Sequence, residues 1–198
     1  AFWPLVNQLA DDCDRLEAGA HLSQGQARAY VMAVCLQLEA GTFGLKTLVL
    51  RAARSPVSSD GISVVMGRRY RLDSDGRLVQ EDSRHDPVAE IQYAFALFSE
   101  WLYRMAWAPN YEGPGWKAVG TTFRVRARIA HPGSLSDIEI GSLELEQAKK
   151  AFRWFIRNVN LGLLQCIKKM HEDIGAPLDP AWPEWHRTLL AEMEAEGI

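Results

Sequence analysis

Apolar side chains recur every three or four residues along most of this chain, and that rhythm is the strongest constraint on its fold. The clearest instance is Val88, Ile91, Phe95, Phe98, Leu102 and Met105, which follows Asp86-Pro87. Asp86 is placed to cap a helix and Pro87 to open it, because a proline's missing N–H is no loss in a first turn. A further helix is predicted from residue 116 to about 131, where Pro132 and Gly133 stop it. The last long helix is expected from near Ser142 and Glu144 to Gly175, with Leu145, Ala148, Phe152, Phe155, Val159 and Leu163 on its stripe. Upstream, Phe2, Leu5, Leu9, Cys13 and Leu16 form another stripe. Ser23 with Gln26 three residues on is a capping-box start for the stripe Ala27, Val31, Val34 and Leu38. Whether Gly41 and Gly44 kink that helix or divide it stays open, since an isolated glycine costs only about 1 kcal/mol. Stripes of this kind are buried helix against helix, so the expectation is an all-α, up-and-down helical bundle.

One stretch breaks the rhythm. Residues 55–60 are rich in serine and end at Gly61, and Ile62-Ser63-Val64-Val65-Met66 reads as a strand. Tyr70 and Leu72 lead into Asp73-Ser74-Asp75-Gly76, and Leu78 and Val79 leave it. Asp-Gly between apolar residues is a hairpin signal, so a small inserted β-hairpin is expected over residues 61–80. It carries Arg68, Arg69, Arg71 and Arg77, which read either as solvated edge charges or as contacts to phosphate. Residues 176–198 form a C-terminal extension with three prolines and a short amphipathic segment.

At 198 residues and 47% apolar content the chain is expected to be one domain with a real core, not a disordered polymer. Its formal net charge of −3 excludes a globally basic nucleic-acid coat and leaves room for a local patch. Cys13, Cys35 and Cys166 lack metal spacing and are odd in number, so buried thiols in a reducing compartment are expected. No apolar stretch near the roughly 20 residues of a membrane span is read, and no signal peptide. Cytoplasm is the default location, with no membrane partner and no cofactor.

Chemistry concentrates in Phe123-Arg124-Val125-Arg126-Ala127-Arg128-Ile129-Ala130-His131-Pro132. Arginine keeps its charge and forks onto phosphate oxygens, while histidine titrates near neutral pH. Together they are the minimum kit for RNA cleavage without a metal: proton transfer to and from reacting oxygens, and a fixed cation for the charge developing on phosphorus. On an ideal helix Arg124, Arg128 and His131 share a face and Arg126 lies on the far side. Arg126 meets His131 within one chain only if the last turn unwinds before Pro132; otherwise the pair works across a dimer.

The run Arg126-Ala127-Arg128-Ile129-Ala130-His131-Pro132 resembles the Arg-x-x-x-x-His motif of the HEPN family (higher eukaryotes and prokaryotes nucleotide-binding). The flanking helix order over roughly residues 86–172 is similar too. The resemblance implies a helical bundle that dimerises with two motifs facing a cleft. It also implies a metal-independent endoribonuclease of toxin–antitoxin, phage-exclusion or CRISPR-associated defence, or a non-catalytic RNA-, nucleotide- or protein-binding relative. On that basis Arg126 and His131 are the catalytic pair, Arg124 and Arg128 RNA-binding residues, and the partners RNA, a second copy and an antitoxin protein. Arg124 is a second candidate for the arginine role. Ala127 departs from the motif, which usually has a polar residue there. Trp101, Trp107 and Trp154, beside or outside the cleanest stripes, are expected at a homodimer interface. Weaker candidates are Arg84-His85-Asp86, where capping already explains Asp86, and the helix-end set His171, Glu172 and Asp173.

Overall fold

The computed structural model describes residues 22–52, 68–72, 74, 75, 77–82, 86–102 and 107–175, with 184, 187, 188 and 191 in the C-terminal extension. The expected stripe at residues 2–16 and the strand at 62–66 lie outside the described residues. What is described is all-α in its core. Helix α1 spans Gln24–Ala52, α2 Pro87–Leu97, α3 Pro114–Ala130 and α4 Ser142–Ile174. The backbone of β1 (Arg68–Leu72) pairs antiparallel with β2 (Leu78–Asp82), Leu72 opposite Leu78.

Local chemistry explains most of the helix boundaries. Ser23 and Gln26 cap α1 reciprocally: the Ser23 N–H donates to Gln26 Oε1 at 2.9 Å, and the Gln26 N–H to Ser23 Oγ at 3.4 Å. Asp86 caps α2 by accepting from the Val88 N–H, and Pro87 opens the helix. Gly175 ends α4 in the left-handed region at φ 65°, where a side chain would be strained. The stripe after Asp86 does not run on as one α-helix. It widens into a π-turn over Phe98–Leu102, beside which the Ser99 hydroxyl donates to the Trp107 carbonyl.

Helix α1 touches all three other helices, and α3 packs most extensively on α4. At the centre Phe95 meets Trp107, Trp154 and Phe155 edge-on, with ring centroids 6.0, 5.9 and 5.8 Å away. Three glycines admit these rings: a Cβ at Gly41 would overlap the Phe155 ring, one at Gly115 the Trp154 indole, and one at Gly162 the Trp107 indole. Gly41 therefore sits inside one unbroken α1 as a packing notch. Trp154 is fully buried within the chain, which corrects the expectation that it anchors an interface. Cys35 and Cys166 are buried, and burial pushes the Cys166 thiol up to about 12.

The expectation that no segment nears a membrane span needs a correction as well. Over Gln24–Arg51, α1 is long and apolar enough to cross a membrane by length and composition. The reason is that it is apolar on more than one face. Leu36 and Phe43 are exposed, while Val31, Val34, Leu38 and Leu45 are buried. With 56% of its most apolar window buried, it has the packing of a bundle's central helix.

Candidate functional site

Helix α3 decides which of the four singled-out basic residues meet. Its buried residues Val119, Thr122, Phe123 and Val125 define a core-facing side. On a helix turning about 100° per residue, Arg126 falls on that same side. A cation there needs a counter-ion, because a half-buried charge loses hydration. Glu39, the lone acidic residue of α1, supplies it. Arg126 Nη1 donates to Glu39 Oε1 at 2.5 Å, with the two side chains 30% and 37% exposed. Arg124 points away from the core, and its Nη2 donates to Thr121 Oγ1 at 3.0 Å.

The helix ends at Ala130. His131 leaves the helical conformation, at φ −133° and ψ 63°, while its N–H still donates to the Ala127 carbonyl at 3.1 Å. The last turn itself stays helical through Ala130, so the unwinding expected before Pro132 is confined to His131. Arg124, Arg126 and His131 all line a single cleft of about 660 Å³. Gly120 and Ala127, two turns apart on α3, also line it, and their small size leaves the volume open. Met32 of α1 and Pro87 and Val88 at the start of α2 add apolar wall, and Asp86 adds a carboxylate. Ala127, the departure from the motif, is therefore a surface of the cleft itself.

Arg128 does not line this cleft. Its Nη2 donates to both carboxylate oxygens of Glu144, at 2.7 and 2.8 Å, and to the Glu139 carbonyl at 3.2 Å. It ties the end of α3 to the start of α4. Other bonds brace the same connection, which includes a 3-10 turn at Leu135–Ile138. The N–H groups of Gly133 and Ser134 donate to Asp137 Oδ2 at 2.9 and 2.8 Å. The Ser134 hydroxyl first, then these backbone groups and the nearby Arg128 charge, hold the Asp137 carboxyl below the usual range. From α1, the Gln24 side chain exchanges two bonds with the Ile140 backbone, at 2.9 and 2.8 Å. Arg28 Nη1 reaches the Ile138 carbonyl at 3.0 Å. His131 and Pro132 thus lead into a fastened loop.

Of the weaker candidates, Arg84 and His85 lie outside the described residues, and Asp86 both caps α2 and lines the cleft. At the end of α4, Lys169 Nζ lies 3.0 Å from Asp173 and 3.8 Å from Glu172, which accounts for those carboxylates as ion pairs. Among the described residues no group of three His, Cys, Asp or Glu side chains is gathered as metal ligands. Sequence reasoning missed Glu39 and Met32. Its standing as the one acid of α1 was the available signal for Glu39, and Met32 gave none. No family model matches the chain, and neither a curated protein nor a solved structure matches it.

Proposed function

We propose that the chain is a HEPN-like, metal-independent endoribonuclease acting as a cytoplasmic homodimer in toxin–antitoxin, phage or CRISPR-associated defence. One observation carries the reading: Arg124, Arg126 and His131 line the same cleft at the C-terminal end of α3. His131 is the proton-transfer group. Arg126, aimed by Glu39, holds the charge that develops on phosphorus, and Arg124 is the second cation for the phosphate. The 2′-hydroxyl loses its proton, its oxygen attacks phosphorus, and the 5′-oxygen leaves with a proton, giving a 2′,3′-cyclic phosphate. The inserted β-hairpin, built on β1 and β2, adds arginines whose contacts with phosphate weaken with salt. Arg128 is assigned a bracing role beside any contact with RNA.

A second reading, a non-catalytic RNA-, nucleotide- or protein-binding module, draws on two observations. Ala127 offers no polar group to the cleft, and Glu39 already neutralises part of the Arg126 charge. Incubation with total RNA in EDTA separates the two. Wild type should cleave, and His131→Ala should cleave about 10²–10⁴-fold more slowly. Arg126→Ala should slow cleavage by on the order of 10²–10³. Undiminished cleavage by His131→Ala, or its abolition by EDTA, overturns the nuclease mechanism. RNA binding without cleavage selects the module, and gain of cleavage in Ala127→Asn would then mark a decayed nuclease.

A further inference from the structure

The cleft has a charge pattern that a site for phosphate alone would not need. Arg124, Arg126 and His131 suit an anion, yet the acidic residue Asp86 lines the same cavity. A carboxylate near bound phosphate opposes it by like-charge repulsion. Capping accounts for an acid at this position, and a ligand that suits the cleft as a whole brings hydrogen-bond donors as well as negative charge. We infer that the cleft is a nucleotide subsite whose base is guanine, read by Asp86. The inference rests on the proposed reading of the cleft as a site for RNA phosphate.

Asp86 is fixed by its place in the fold. As the N-cap of α2 it accepts from the Val88 N–H through Oδ1 at 3.2 Å, in extended backbone conformation just before Pro87. An ionised carboxylate has about four lone-pair sites, so one capping bond leaves most of its accepting capacity for a ligand. Guanine alone among the four RNA bases carries two adjacent N–H donors, N1 and the exocyclic N2, on its Watson–Crick edge. Adenine and cytosine put an acceptor beside their amino group, and uracil flanks its one N–H with two carbonyls. Each of those would turn an acceptor toward the carboxylate. Met32 and Val88 supply apolar surface for the face of the ring. Such a base must come from unpaired RNA, because a duplex keeps its Watson–Crick edge occupied.

Equilibrium binding of the four nucleoside 3′-monophosphates to the full chain tests this, with Asp86→Asn and Asp86→Ser beside wild type. Asn and Ser are both good N-caps, so α2 should persist, and thermal melts check that it does. Guanosine 3′-monophosphate should bind on the order of tenfold more tightly than the other three. Both variants should lose that preference, binding guanosine 3′-monophosphate no more tightly than adenosine 3′-monophosphate. Three results overturn the guanine assignment while leaving the phosphate site standing: equal binding of all four, preference for another base, or a guanine preference that survives both substitutions. Binding of none, or binding that Arg124→Ala/Arg126→Ala does not weaken, overturns the phosphate reading and the inference with it.

Discussion

Gln37 lies fully inside the bundle, and among the described residues neither its side-chain oxygen nor its nitrogen has a hydrogen-bond partner. A buried amide left unpaired costs about 1–3 kcal/mol, so an apolar side chain of similar volume should be the better occupant. Gln37→Leu is expected to gain about 1 kcal/mol, or roughly 2–4 °C in Tm for a chain of this size. A melt that moves down would mean the amide has a function outside the core. At this scale the sequence was partly legible. His131 and Arg126 could be singled out because their chemistry is local and their spacing short. Glu39 could not be paired with Arg126, since the two are 87 positions apart and meet only once α1 and α3 pack. Arg128 was read for its charge, and its grip on Glu144 depends on how the loop after Pro132 turns back.

Among the elements, α4 was legible almost to its ends and α2 at its start, because capping residues and apolar spacing agreed there. Helix α1 was not, because a local glycine cost cannot show that Phe155 fills the notch at Gly41. The π-turn at Phe98–Leu102 was also hidden, and the contact that marks it joins Ser99 to the Trp107 backbone. The α3–α4 connection is held by a small set of side-chain bonds centred on Glu144. Glu144 takes both bonds from Arg128 and also accepts from the Gly141 N–H at 3.1 Å. About one-third exposed, the ion pair is screened by solvent, so its share is within about 1 kcal/mol. Glu144→Ala should cost roughly 1 kcal/mol in urea unfolding, cap included. Arg128→Ala should cost less, and the double substitution should fall short of the sum. Strict additivity would mean that the bracing role is wrong and that Arg128 is a surface cation available to RNA.

Across the whole molecule, aliphatic surface rather than tryptophan is what a second copy would cover. Trp154 is spent in the core and Trp107 is half-buried against Phe95, so neither is left to anchor an interface. Among the described residues, Ile167, Met170 and Ile174 are exposed at spacings of three and four on the last turns of α4. Leu36 and Phe43, two turns apart, are exposed on α1, the helix that also brings Met32 to the cleft and Glu39 to Arg126. Apolar stripes of this spacing are the kind that helical interfaces bury. Sedimentation at micromolar concentration should therefore show a species near twice the 22.2 kDa chain mass. Leu36→Lys and Ile174→Lys, each on a different stripe, report which face is used: the one at the interface should give a monomer with an unchanged melt of the core. If α1 is that face, Leu36→Lys should also slow RNA cleavage, because two clefts would no longer be held together. A wild-type chain that sediments as a monomer removes the dimer and leaves the cleft to act within one chain, where Arg126 and His131 already border the same cavity.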